Sequence, residues 1–224
     1  MIQGLSLQGL SPFVFSGPAP QGGVGAGTMP AMPRARAPRT VATAPSRLSP
    51  AAASAPAVRL QGLAPVVDAR TQLLILGSFP GVASLQAQQY YAHPRNQLWP
   101  ILAALWPEHP QPPREDYAAR CTWLLARGLG LWDVYDQCER QGSLDSAIRA
   151  PQVNDFAGLR ARCPQLRAVA HNGAESYKHA HHLQGLGLQV YALPSTSPAN
   201  ATWSRERKLA AWRSVVQAVG LLQA

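Results

Sequence analysis

Between Leu73 and Trp99 the chain reads LLILGSFPGVASLQAQQYYAHPRNQLW, a stretch crowded with groups able to do chemistry. The apolar run Leu73–Leu76 breaks into Gly77-Ser78-Phe79-Pro80-Gly81, and the tyrosine pair Tyr90-Tyr91 leads into His93-Pro94-Arg95-Asn96. A buried strand that ends in a glycine-bounded loop exposes backbone where ligands gather in open α/β sheets, beyond the carboxyl ends of the strands. The loop is not a GxGxxG or P-loop phosphate cradle, because the glycine spacing and the lysine are missing. Nor is it a nucleophile elbow, since Phe79 stands where GxSxG needs serine. An ordinary strand-to-helix turn is the alternative. Tyr90 and Tyr91 can stack on a flat ligand or seal the sheet edge, and as chain neighbours only one of them faces a given site. Pro94 holds His93 extended. Asn96 either caps a helix beginning near Gln97 or uses its amide to hold a water or face a developing charge, with Arg95 on a phosphate.

Other polar groups follow other apolar runs. Asp133 closes the run Leu129–Val134 as either a turn acceptor or an acceptor for a polar ligand. His171-Asn172-Gly173 follows Arg167–Ala170; His171 and Asn172 are plausible ligand contacts, and Asn-Gly is equally a turn dipeptide. His179, His181 and His182 have no acidic partner and no HExxH pattern, so a solvated face is expected rather than a metal site. Ser195-Thr196-Ser197 lies between two prolines after Leu188–Leu193 and offers short donors suited to phosphates. Arg205, Arg207 and Lys208 open the last helix at its positive end, where acids are preferred, an arrangement easier to explain if an external anion is brought there.

The four runs Leu73–Leu76, Leu129–Val134, Arg167–Ala170 and Leu188–Leu193 read as buried strands, separated by helical patterns at Gln97–Trp106, Asp116–Arg127, Asp155–Arg162, Ala174–Leu183 and Arg205–Leu221. Alternating strands and helices imply an α/β fold: a three-layer α/β/α sandwich around a central four-stranded parallel sheet, with all four post-strand loops on one edge. Residues 1–60 differ in kind. They hold nine of the 21 prolines, five arginines and no acid, too little apolar surface to offset ordering entropy, so 1–60 is expected to be a disordered extension and 61–224 the domain. The net charge of +9 divides into +5 for the extension and +4 for the domain, which permits a polyanionic partner. No run approaches a membrane span, and the N-terminus lacks a secretory signal pattern. Three widely spaced cysteines support neither a zinc ribbon nor a disulfide framework nor a four-cysteine cluster, and are read as intracellular thiols.

GSFPG at 77–81, SL followed by YYAHPRNQLW at 84–99, GLGLWDV at 128–134, AHNG at 170–173 and LPSTSPAN at 193–200 together resemble the uracil-DNA glycosylase superfamily, in its hypoxanthine (deoxyinosine) DNA glycosylase branch. The resemblance covers most of residues 65–221. It implies a monofunctional enzyme that flips a deaminated base, hypoxanthine foremost and uracil besides, out of DNA and replaces it by water at the sugar C1′. Two departures stand out. Much of the superfamily supplies a water-positioning Asp or Asn where Phe79 stands, and a leaving-base histidine where Leu193 stands; the branch that this chain resembles relies on the HPRN asparagine, Asn96.

The roles implied are then Asn96 for the water, Phe79 as stacking face, Asp133 as acceptor of the N1–H that hypoxanthine has and adenine lacks, and backbone near Ser78 with Asn172 for the base oxygen. DNA contacts fall to Tyr91, His93, Arg95, Ser195, Thr196, Ser197, Arg205 and Lys208. No cofactor, metal, membrane or second subunit is implied, and no catalytic lysine, hence no Schiff base or strand cleavage. Cytoplasmic localisation is expected, at the nucleoid in a bacterium; the acid-free extension shares its composition with organelle transit peptides, and a dispensable extension or an upstream start codon fits as well. Two rivals are a DNA-binding relative that recognises lesions without excising them, and a small-ester hydrolase using Ser195 or Ser197 with a histidine.

Overall fold

The computed structural model describes residues 59–222; the expected extension lies outside them except for Arg59 and Leu60, which belong to the first strand. In chain order the strands are β1 (Arg59–Gln61), β2 (Leu73–Gly77), β3 (Leu129–Asp133), β4 (Tyr135–Glu139), β5 (Arg149–Val153), β6 (Ala168–Asn172) and β7 (Gln189–Leu193). The helices are α1 (Val82–Ala87), α2 (Leu98–Leu105), α3 (Tyr117–Leu125), α4 (Leu159–Arg162), α5 (Ala174–Tyr177) and α6 (Arg205–Ala218), with 3-10 turns at Asp145–Ala147 and Ala180–Leu183.

The four apolar runs form the expected parallel sheet, in the order β3-β2-β6-β7. Leu73, Leu74, Ile75 and Leu76 are all fully buried, because a central parallel strand is covered on both faces. Alternation along β2 divides them. Leu73 and Ile75 enter a core with Trp99, Leu102, Trp123 and Trp212, whereas Leu74 and Leu76 enter one with Trp132, Phe156, Leu159 and Leu183. Each such side chain is worth roughly 1.5–3 kcal/mol of burial, so β2 anchors both layers.

The two layers are unlike. Long α2, α3 and α6 cover the first face, α3 capped by Asp116 accepting from Ala119 N and α6 by Ser204 accepting from Arg207 N. On the second face, short α4 and the 180–183 turn share the work with an antiparallel sheet of order β1-β4-β5. That sheet departs from the expectation of a post-strand loop directly after the run Leu129–Val134, since β4 begins at Tyr135. Tyr135 and Cys138 of β4 are buried, while Asp136, Gln137 and Glu139 are half-buried and hide the strand in a polar sequence. The Ala174–Leu183 helix is likewise broken, into α5 and the 3-10 turn.

The chain leaves β2 toward β3, then crosses back over β2 to β6. The direction of winding changes at β2, and a crevice opens there between the loops that follow β2, β3 and β6. A chain beginning at Arg59 is expected to unfold at the parent temperature. One beginning at Leu63 loses β1 with its ladder to β4 and the Gly62 N–Asp136 O bond, and its thermal midpoint falls by roughly 5 °C, at about 2–4 °C per kcal/mol for a domain of this size.

Candidate active site

A cleft of about 480 Å³ lies in that crevice, lined by the loops after β2 and β7 and by the last residues of β3 and β6, Asp133 and Asn172. Of the residues singled out in the sequence, Ser78, Phe79, Tyr91, His93, Asn96, Asp133, Asn172, Ser195, Thr196 and Ser197 reach its walls. Arg95, Arg205 and Lys208 do not.

The floor is set by strand register. Gly77 pairs with Asp133 across β2 and β3, and a Cβ on Gly77 would overlap Asp133 Oδ1 and come within 3.1 Å of Tyr91 Oη. Glycine is required there for room, not for its dihedral freedom. Tyr91 itself is held at φ 57°, a left-handed backbone that costs an aromatic residue of order 1 kcal/mol and is maintained by its surroundings. Asp133 is 4% exposed; burial, and next the charge of Asp145, lift its pKa from 3.8 to about 7, against the pull of Arg140. Asp133 Oδ2 and Tyr91 Oη are both buried with no hydrogen-bond partner among the described residues. Two unpaired polar atoms in one cleft floor call for a polar ligand. Beside them, Phe79 is fixed by the second core and by the Arg140 guanidinium, 5.0 Å from its ring centre and bonded to Pro80 O.

One side-chain pair gathers the remaining loops. Asn172 Nδ2 donates to Thr196 Oγ1 (2.8 Å), Thr196 N donates to Asn172 Oδ1 (2.9 Å), and Gln97 N donates to Thr196 O (3.0 Å). The loops after β6 and β7 and the start of α2 are thus tied at one buried threonine. Gly173, at φ 116°, lets the β6 loop close on Ser195, whose Cβ lies 3.0 Å from where a Gly173 Cβ would stand. The expected phosphate contact from Thr196 is therefore corrected: fully buried, it is a tie between loops. Asn172 spends both amide atoms on that tie and keeps one Nδ2 hydrogen for the cleft that it lines. Asn96 precedes Gln97, the N-cap of α2, and holds the helix start through its Oδ1, which accepts from Leu98 N at 2.9 Å; its Nδ2 has no partner among the described residues.

Lys208 is a second correction. It is 1% exposed and its Nζ donates to Asn200 O (2.8 Å), riveting the last loop to α6 beyond reach of any phosphate. The unusual first turn of α6 has local partners: the Ser204 cap, acidic Glu206, and Arg207 over the Trp203 ring at 4.5 Å. Arg205 and Arg95 are exposed outside the cleft. His171 is buried on Ser176 Oγ (2.7 Å), which donates to Leu76 O; burial lowers its pKa to about 4, so it is a neutral core histidine. His179 bonds Tyr135 Oη instead of solvent, and among the described residues no cluster is suited to a metal.

Sequence reading missed one wall. Ser143, Leu144, Asp145 and Ser146, on the hairpin between β4 and β5, overhang the cleft. Ser143 Oγ accepts from Val82 N (2.9 Å) and Ser78 Oγ donates to Asp145 Oδ1 (2.6 Å), so the hairpin is latched at two points, to the start of α1 and to the loop after β2. Leu144 is 59% exposed at the mouth. In sequence these four residues look like a solvated turn; only recognition of β4 and β5 as a hairpin would have drawn them in. A smaller groove on the far side of the Tyr91–Asn96 segment is lined by Arg114 and by Arg120, which stacks on Trp99.

The profile of the Uracil DNA glycosylase superfamily matches residues 64–217. The chain belongs to this superfamily. It is 36% identical over 155 residues to a protein named hypoxanthine DNA glycosylase in Methanosarcina acetivorans, covering 69% of this chain and 96% of that one. A protein of the same name in Methanosarcina barkeri is 36% identical over 151 residues, covering 67% and 94%. Among solved structures, the NMR structure of a candidate uracil DNA glycosylase from M. acetivorans superposes with a TM-score of 0.64 at 33% identity, covering 73% of this chain and 99% of that one. The superfamily resemblance carried by the five motifs is thereby established, as is the α/β fold.

A folded-state pKa above the unfolded value means that Asp133 favours folding at low pH and opposes it as pH rises from 3.8 toward about 7. Asp133→Asn removes that burden. Its thermal midpoint is expected to match the parent near pH 4 and to exceed it by several degrees at pH 8, read by circular dichroism melts at the two pH values.

Proposed function

We propose that the protein is a monofunctional DNA glycosylase that hydrolyses the N-glycosidic bond of deaminated bases, hypoxanthine foremost and uracil besides, as a single chain without a cofactor. The observation that carries this reading is the buried Asp133 carboxyl, one oxygen unpaired, at the floor of a cleft walled by Phe79. A flipped base stacks on Phe79, and its N1–H supplies the partner that Asp133 lacks. The ionised carboxylate accepts N1–H of hypoxanthine and repels the N1 lone pair of adenine. Asn172, with its remaining hydrogen, and backbone near Ser78 face the base oxygen, whose charge grows as the bond breaks. Asn96 holds the attacking water through Nδ2. His93, Arg95, Ser195, Ser197 and Arg205 surround the mouth or its approaches and serve the DNA strand, and Tyr91 meets the flipped nucleotide of that strand from the floor. The chain has two lysines, one paired with Glu175 and the other buried on Asn200, which fits hydrolysis without a Schiff base. Residues 1–58 are dispensable for the chemistry, and the enzyme works where DNA is repaired, in the cytoplasm at the nucleoid of a bacterium.

An oligonucleotide holding one deoxyinosine, treated with alkali after incubation, reports base release. Asn96→Ser keeps a capping oxygen for α2 and lacks the amide, so single-turnover release is expected to fall about 10²–10³-fold with DNA affinity retained; an unchanged rate removes Asn96 from the chemistry. A parent protein that binds the lesion and releases nothing is the non-catalytic relative instead. Selectivity for deoxyinosine over deoxyadenosine is expected to shrink as pH falls through about 7, since protonated Asp133 donates to adenine N1. Asp133→Asn should be equally unselective at every pH.

A further inference from the structure

Hydrolysis requires a group that takes a proton from the attacking water, and the Asn96 amide, which is not basic, cannot be that group. Five titratable side chains line the cleft: Tyr90, Tyr91, His93, Asp133 and Asp145. Burial pushes both tyrosines far above neutral pH, so they stay protonated. His93 Nδ1 accepts from Arg95 N at 3.1 Å, which places the ring proton on Nε2 and leaves the imidazole only a donor toward the cleft. Asp133 lies in the floor, against Gly77, where the base is read. Asp145 differs from all of these. It overhangs the cleft from the β4–β5 hairpin, and Ser78 Oγ donates to its Oδ1 at 2.6 Å, a length typical of a hydroxyl on a charged acceptor. That bond orients the carboxylate, and Oδ2 has no partner among the described residues.

We infer that Asp145 is the general base of the glycosylase reaction, positioned by Ser78. As the C1′–N9 bond breaks and its electron pair leaves on the purine, water held by Asn96 bonds to C1′. One proton of that water passes to Asp145 Oδ2 and from there to solvent, and the departing purine takes up a proton in turn. Until then the carboxylate charge stabilises the cationic sugar that precedes bond formation. The groups facing Asp145 tune it: partial burial raises its pKa, Glu175 adds to the rise, and the Ser78 bond, Arg140 and Lys178 oppose it. Asp133 and the hydroxyls of Tyr91 and Tyr135 also lie within its field.

The inference rests on the glycosylase reading, and one set of measurements separates the two. Parent, Asp145→Asn, Asp145→Glu and Ser78→Ala proteins are compared on the deoxyinosine oligonucleotide for single-turnover rate against pH, for affinity toward uncleaved DNA and for thermal midpoint. Asp145→Asn is expected to lose about 10²–10⁴-fold in rate, with affinity within about threefold and a midpoint no lower than the parent's. On the acid side the parent rate depends on two carboxylates, so its logarithm falls with a slope approaching two, and in Asp145→Asn with a slope of one. Asp145→Glu recovers part of the rate. Ser78→Ala keeps its acid limb but moves it to higher pH, because a bond that lowers the Asp145 pKa is gone. A parent that releases no base overturns the glycosylase reading itself. An active parent with an equally active Asp145→Asn of unaltered pH slope leaves that reading standing and overturns the role of Asp145. So does a rate that falls only in proportion to lost affinity or stability.

Discussion

The pairing of Gly77 with Asp133 at the ends of two parallel strands puts a carboxyl group where β2 has no side chain of its own. Parallel strands buried on both faces leave that carboxyl almost no water, so it must remain neutral or find a donor. Much of the rest follows. Tyr91 accepts an unfavourable backbone angle to stand beside it, Arg140 lies within its field, and the Asp145 charge raises its proton affinity further. A protein selected only for stability would place an apolar residue at 133. An acid is kept there at a cost in stability, and its Oδ2 has no partner among the described residues.

The second constraint is geometric. Four loops separated by more than a hundred residues must agree in position, and few contacts enforce it. Thr196 ties the β6 and β7 loops to the start of α2, Lys208 pins the β7 loop from below, and the latches at Ser143 and Ser78 close the hairpin over the top. Each is a polar contact with a specific partner, buried at Thr196 and Lys208 and exposed at Ser143, and it fixes distance and angle as apolar packing alone does not.

What was legible in the sequence follows the same physics. Strands covered on both faces read as unbroken apolar runs, and β2, β3, β6 and β7 lie within two residues of where those runs stand. The β4–β5 hairpin was illegible because one of its faces is half-solvated and its apolar positions are interrupted by Asp136, Gln137 and Glu139. With it went the wall carrying Asp145. Burial of amphipathic residues was the other blind spot. Lys208 and Thr196 look like phosphate ligands by type, yet each meets a backbone or amide partner from a distant segment, a fact that no local pattern contains. Asn96 shows the opposite case: its capping role was readable from position, and capping leaves Nδ2 available for a second task.

Because its walls come from residues 77 to 200, the cleft exists only when nearly the whole domain has folded. A nascent or partly unfolded chain carries no fraction of it. For a protein whose chemistry, applied to the wrong nucleotide, leaves a hole in a gene, this acts as a safety catch: a broken copy is inert instead of indiscriminate.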